Sequence, residues 1–222
     1  MNKRILITGA SRGLGMVAAV AFEDDYEVFT LSRKEWDFLN PETWTTPLPE
    51  VDVILHCAGG GLGLKNSLVT AKSLHDLFMV NLGAAAEINS LLLPQMMNNR
   101  HGNIIHVCSI ASGEAVGSVG YNTVKSALAA YVRSLGREMA PYGIVVTGIS
   151  PGGFEAPDNA MDRLKTANFE AYREFLEQRL PRGVMGKAEE LIPLIKFLAS
   201  DEASMMGGCV VPIDAGEGHY YS

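Results

Sequence analysis

Apolar residues in this chain fall into short continuous runs, separated by longer stretches in which they recur every three or four positions. Arg4 to Ile7, Glu27 to Leu31, Val51 to Cys57, Asn103 to Cys108, Val145 to Ile149 and Cys209 to Ile213 read as strands buried on both faces. Between them lie helical patterns at Leu14 to Glu23, Ser73 to Met97 and Ala188 to Ser200. A further one carries Val124, Leu128, Tyr131, Leu135 and Met139 on one face. Parallel strands need crossovers, and helices supply them here. The order predicts a doubly wound parallel sheet in three α/β/α layers, as a single domain over residues 1–222.

Two segments break this rhythm. Residues 33–50 are short for a helix–strand–helix passage and carry Pro41, Pro47 and Pro49, so helices there should be short or missing. Residues 153–187 make a long excursion before the last helix. An excursion after a strand's carboxyl end lies over the ligand crevice of such a sheet, so it is expected to form a substrate lid.

Composition narrows the partners. The net charge is -7, and the basic residues form no run longer than Lys3-Arg4 or Arg33-Lys34. Neither nucleic acid nor an anionic membrane surface is expected. No apolar stretch approaches the ~20 residues of a membrane span, and no secretory signal pattern opens the chain. Cys57, Cys108 and Cys209 lie in apolar runs without metal-ligand spacing. They read as buried small hydrophobes in a reducing cytoplasm, with no metal site.

Candidate chemistry begins at Thr8-Gly9-Ala10-Ser11-Arg12-Gly13-Leu14-Gly15, between the first strand and the first helix. Glycines permit close backbone approach, and a helix N-terminus offers free N–H groups to a pyrophosphate. Tyr121 and Lys125 stand four apart on a helix, hence on one face. A neighbouring ammonium favours a phenolate and equips a tyrosine for acid–base work. Ser109 ends a strand twelve residues earlier, where a hydroxyl can polarise a substrate oxygen. Asn81 lies in the Ser73 to Met97 helix, either satisfied against backbone or holding a water.

The glycine spacing and these four residues resemble the short-chain dehydrogenase/reductase family, with its TGxxxGxG turn and Asn-Ser-Tyr-Lys tetrad. The resemblance spans nearly the whole chain and points to the short, single-domain branch of Rossmann-type enzymes. It implies Tyr121 as general acid/base, Ser109 orienting a carbonyl (Ser112 being the alternative), Lys125 tuning Tyr121 and binding the nicotinamide ribose, and Asn81 supporting a water relay. It implies dinucleotide contacts at Gly9, Ser11, Arg12, Gly13, Leu14, Gly15, Ser32, Arg33, Ala58, Gly59, Tyr121, Lys125, Pro151 and Gly152. Asp37 resembles the family aspartate near the adenine amino group.

NAD-binding members commonly end the second strand with an acid. Here that strand ends Thr30-Leu31-Ser32-Arg33-Lys34, and Arg12 adds a cation on the same side. This suits a 2′-phosphate, so NADP(H) is expected over NAD(H). The segment Asp52 to Gly59 resembles the family's DxxxNNAG strand, with His56 and Cys57 in place of both asparagines. His56 is expected to be structural. Ser150 to Pro157 resembles PGxxxTP, with Ala156 where a threonine helps hold the carboxamide. Ala199 to Ser204 and Val210 to Gly216 match the last helix and strand. Gly59 to Gly63 reads as a flexible rim.

The expected activity is carbonyl–alcohol interconversion on a small molecule. A dinucleotide-binding regulator on the same fold is the alternative. Length and glycine spacing speak against a sugar-nucleotide epimerase. The lid's mixed charges imply no substrate sign, and Phe154, Met161, Phe169, Tyr172 and Met185 are expected mostly to pack among themselves. The family resemblance implies a homo-oligomer, tetramer or dimer.

Overall fold

Every apolar run forms a strand. β1 (Lys3–Thr8), β2 (Tyr26–Leu31), β3 (Val53–His56), β4 (Gly102–Val107), β5 (Ile144–Pro151) and β8 (Val210–Ile213) make one parallel sheet in the order β2-β1-β3-β4-β5-β8. A two-stranded ribbon, β6 (Phe154–Glu155) with β7 (Gly186–Lys187), stands apart. The helices are α1 (Gly13–Phe22), α2 (Ala71–Phe78), α3 (Ala84–Asn99), α4 (Val119–Met139), α5 (Ala160–Ala167), α6 (Phe169–Arg179) and α7 (Ala188–Leu198). This computed structural model describes residues 3–64 and 66–219, so the ends of the expected domain lie outside the described residues.

The period of two along each strand divides the core. Ile5, Ile7, Val53, Leu55 and Ile105 face α1 and α7, where Ala18, Phe22, Leu191, Ile195 and Leu198 cover them. Leu6, Ile54, Ile104 and Val146 face the other layer, covered by Ile88, Leu92 and Met96 on α3 and by Leu128 and Val132 on α4. Each such side chain contributes about 1.5–3 kcal/mol by leaving water.

Between β2 and β3 the chain returns with only a single 3-10 turn, Pro41–Thr43, as the prolines predict. Two indoles take the place of a helix. Trp36 and Trp44 stack with centroids 5.1 Å apart, and Trp36 packs with Leu31, Val51 and Leu92. Their N–H groups donate to Thr46 O (3.1 Å) and Asp37 O (2.8 Å), so neither is buried unpaired.

The expected Ser73 to Met97 helix runs from Ala71 to Asn99, with one π turn at Met79–Gly83 joining α2 to α3. Thr70 Oγ1 caps its start by accepting from Ser73 N. Contrary to the apolar-window expectation, this run is long and apolar enough by length and composition to cross a membrane. Isolated polar residues interrupt it in sequence. In the fold, Leu77, Ile88, Leu92 and Met96 are core residues.

Cysteine burial is uneven. Cys108 is buried and Cys57 half-buried, and burial pushes their thiols up to about 11 and about 12. Cys209 corrects the expectation of three buried cysteines: it is exposed, just before edge strand β8, where no further strand covers it.

A buried polar group sits among these apolar layers. His56 and His106 are partners across β3 and β4, and their rings stack 4.6 Å apart. Asn89 bridges them, with Oδ1 2.9 Å from His56 Nε2 and Nδ2 3.4 Å from His106 Nε2, and it donates to Tyr131 Oη at 3.1 Å. His56 is therefore structural, as expected. Burial brings it down to about 4, and burial, with the neighbouring His56 ring and the Lys125 ammonium opposing a second positive charge, holds His106 well below the usual imidazole range. The unfolded chain protonates both near their ordinary value while the fold keeps them neutral. Their stabilisation is complete above about pH 6.5 and falls as pH drops toward 4, by about 3 kcal/mol for His56 alone. Urea unfolding of the wild type and His56→Asn at about pH 7 and about pH 4.5 checks this: the variant should lose distinctly less stability on acidification.

Candidate active site

Parallel pairing brings the strand ends to one edge. Thr8 is level with Leu31 and His56, His56 with His106, and Val107 with Ile149. The segments after β1, β2, β3, β4 and β5 thus leave the sheet together. β2 lies on one side of β1 and β3 on the other, so the crevice opens at the switch in strand order.

The turn after β1 has its glycines for steric reasons. Gly9 has φ +70, and a Cβ there would come 2.7 Å from Ala58 N; one at Gly15 would come 2.6 Å from Gly9 O. Arg12 enters α1 extended and its side chain does not cap the helix. The first N–H groups have no intrahelical acceptor, which fits a pyrophosphate. Gly13 N, however, donates to Pro157 O at 2.7 Å, and Arg12 Nη1 lies 3.3 Å from Asp158 Oδ2. Ser11 is exposed beside it, and Leu14 is buried.

At the end of β2, Ser32 N (2.8 Å) and Oγ (2.6 Å) both donate to Glu35 Oε2. These bonds hold the Glu35 carboxyl below its usual range. Glu35 escaped the sequence reading, although Ser-x-x-Glu is the capping-box spacing. Arg33 is exposed. Asp37 is half-buried, and its Oδ1 accepts from Leu39 N at 3.1 Å within the indole-bearing turn.

The tetrad residues divide between two linked groups. Lys125 is 3% exposed; its Nζ donates to Val107 O at 2.8 Å and lies 5.7 Å from the Tyr121 ring centroid. Asn81 sits in the π turn, a feature frequent at functional sites. Its amide donates to Gly60 O (3.0 Å) and Leu77 O (2.9 Å), and its Oδ1 accepts from Gly60 N (3.0 Å). The Asn81 side chain is satisfied against backbone, and the rim expected to be flexible is pinned at Gly60. A Cβ on Gly59 would come 2.9 Å from Asn81 Oδ1 and 3.5 Å from Lys125 Nζ. Asn81, Gly59 and Lys125 therefore share one corner, beneath the half-buried Tyr121.

Ser109 follows Val107 and opens the turn Ile110–Ser112, which packs on α4. Its Oγ accepts from Ala111 N at 3.2 Å, leaving its O–H to donate. The hydroxyl of Ser112, the alternative to Ser109, is buried with no partner among the described residues. Asn122 is a second residue the sequence reading missed. Its amide donates to Ala111 O (3.0 Å) and Glu114 O, and its Oδ1 accepts from Gly117 N (2.8 Å). It ties the Ser109 turn to the helix that carries Tyr121.

Pro151 closes β5, and Gly152 N donates to Ile213 O at 3.4 Å. Ala156 is buried against the α1 and α7 layer, and its methyl group offers no hydrogen bond. Glu217, whose side chain is 2% exposed, accepts from Gly153 N (2.5 Å) and pairs with Arg179 of α6 at 2.8 Å. Tyr172 donates to Glu155, and burial and that carboxylate push its phenol up to about 12. Tyr172, Leu180 and Met185 pack with Met161, Leu164 and Phe175. Most apolar residues of the 153–187 segment thus pack among themselves, while Phe169 is exposed and Phe154 joins the main core. No group of potential metal ligands occurs among the described residues.

This fold has known counterparts. A family model described as Enoyl-(Acyl carrier protein) reductase matches residues 42–217. The 3-oxoacyl-[acyl-carrier-protein] reductase FabG of Rickettsia felis is 27% identical over 220 residues, covering 97% of this chain and 87% of that protein. The chain belongs to the short-chain dehydrogenase/reductase family, whose members are oxidoreductases acting on carbonyl and alcohol groups. Among solved structures, a 3-oxoacyl (acyl-carrier-protein) reductase from Agrobacterium tumefaciens C58 with NADP bound superposes with TM-score 0.78 at 22% identity, covering 98% of this chain and 94% of that one. A 4-hydroxyisoleucine dehydrogenase complexed with NADH superposes with TM-score 0.83 at 22% identity, covering 97% and 98%. At such identity the likeness concerns the fold, and the two neighbours hold different dinucleotides.

Gly9→Ala should be severe, because its Cβ would meet backbone at a positive φ. The expected outcome is a loss of about 2 kcal/mol or more in urea unfolding, with dinucleotide binding lost in titration. An unchanged protein would exclude the tight approach of Gly9 to Ala58.

Proposed function

We propose that this chain is an NADP(H)-dependent reductase of carbonyl compounds, with Tyr121 as general acid/base. The observation that carries the proposal is the buried Lys125 ammonium, held by Val107 O beside the Tyr121 ring and the Asn81-clamped glycines. A buried charge is costly unless it is paired or hydrogen-bonded, and here the acceptor is Val107 O. The glycine turn with Ala58 and Gly59 would hold the dinucleotide, and Ser32, Arg33 and Arg12 its 2′-phosphate, with Asp37 at the adenine end. Pro151 and Gly152 would flank the nicotinamide. When bound, the dinucleotide supplies the hydride in reduction and accepts it in oxidation.

The chain's own residues then handle the proton. The Ser109 O–H donates to the substrate oxygen and orients it. The Tyr121 hydroxyl gives its proton to that oxygen in reduction and takes one in oxidation. Lys125 supports the phenolate and binds the ribose. Asn81 shapes the π turn, and with it the place for a water relay. The segment 153–187 serves as substrate lid, anchored through Arg179 and Glu217. The similarity to 3-oxoacyl thioester reductases makes a 3-oxoacyl thioester the first substrate class to test.

The proposed setting is a cytoplasmic homo-oligomer, dimer or tetramer. The three free cysteines support a reducing compartment. Exposed Phe78 and Leu91 on the long helical run and Val119 on α4 support self-association.

Tyr121→Phe should bind NADPH as the wild type does and lose turnover by at least about 100-fold in an NADPH-oxidation assay. Full turnover in this variant would remove Tyr121 from the mechanism; absence of turnover in the wild type against all carbonyls tried would favour a dinucleotide-binding regulator. For the cofactor, kcat/KM should be higher with NADPH than with NADH, and Arg12→Gln should narrow the ratio about tenfold. A wild-type preference for NADH would refute the assignment.

A further inference from the structure

Arg12 is assigned to the 2′-phosphate, yet in the fold it already has an anion. Its Nη1 lies 3.3 Å from Asp158 Oδ2. The same turn places Pro157 O 2.7 Å from Gly13 N, one of the α1 N–H groups a pyrophosphate would use. A non-glycine residue in a left-handed conformation makes this geometry: Asp158 has φ 53. The turn is fixed from behind, because Asn159 accepts from Met161 N and Asp162 N at the start of α5 and donates to Phe154 O. Asp158 has a second partner, Arg163, whose Nη1 lies 3.1 Å from Oδ1 and also donates to Asp158 O.

We infer that Asp158 is a cofactor-selecting residue that competes with the 2′-phosphate for Arg12. The inference rests on the NADP(H) reading of Arg12. A 2′-phosphate competes with the Asp158 carboxylate for Arg12, whose Nη1 that carboxylate holds, while Arg163 keeps a displaced carboxylate partnered. A dinucleotide without that phosphate leaves the pair intact. Both must displace Pro157 O to use Gly13 N. Asp158 therefore lowers affinity for the phosphorylated dinucleotide selectively, and the chain discriminates less between the two than Arg12 and Arg33 alone would allow. The pair is exposed at both ends, so the competition is modest.

The test uses two fragments, 2′,5′-ADP and 5′-AMP, which differ by the 2′-phosphate, titrated calorimetrically into the full chain. Asp158→Asn removes the charge, and asparagine tolerates the left-handed conformation, so the turn is retained. We expect Asp158→Asn to tighten 2′,5′-ADP about threefold to fivefold and leave 5′-AMP unchanged. In an Arg12→Gln background the same substitution should have no effect on either fragment. Unchanged or weaker 2′,5′-ADP binding in Asp158→Asn, or equal tightening of both fragments, would overturn the inference. The underlying NADP(H) reading fails in a different way: wild-type protein would bind the two fragments alike, and Arg12→Gln would change neither. That result would overturn both.

Discussion

A lysine ammonium inside a folded domain must find acceptors, and much of this site follows from satisfying Lys125. Its partner is Val107 O, a strand carbonyl at the edge where the parallel sheet ends. That bond requires α4 to lie across the end of β4, which places Tyr121 one helical turn away on the same side. It also requires an unobstructed corner, and Gly59 leaves one, because a side chain there would strike Asn81. The π turn at Met79–Gly83 presents Asn81 to both backbone groups of Gly60. One buried charge is thus surrounded by backbone made to fit it.

Beneath this corner the core is less apolar than its strands imply. His56 and His106 form a stacked, neutral pair bridged by Asn89. His56 makes a hydrogen bond to Asn89 of the long helical run, which links β3 to α3. The cost is sensitivity to acid, since neither ring can take up a proton without losing its place.

The opposite end of the crevice is governed by carboxylates. Glu35 holds both donors of Ser32, and Asp158 holds Arg12. Glu217, buried in the last described residues, ties helix α6 to the backbone of Gly153. Ser32 and Arg12 therefore stand paired within the chain, and under the proposed reading a phosphate at Arg12 exchanges one anion for another.

Much of this was legible along the chain. The strand runs, the glycine turn, the missing helix between β2 and β3, and the Tyr121–Lys125 face all follow from local periodicity, proline placement and spacing, because each is decided within a few residues. The uncovered Cys209, the membrane-length run at Ala71–Asn99, the Asn122 clamp on the Ser109 turn and the paired state of Arg12 were not legible. Arg12 and Asp158 lie 146 positions apart, and Gly153 and Glu217 64 apart. The chain by itself determined the fold class and the chemical types at the site. Only the tertiary structure decided which charges meet, because an ion pair depends on distance in space and leaves no period in sequence.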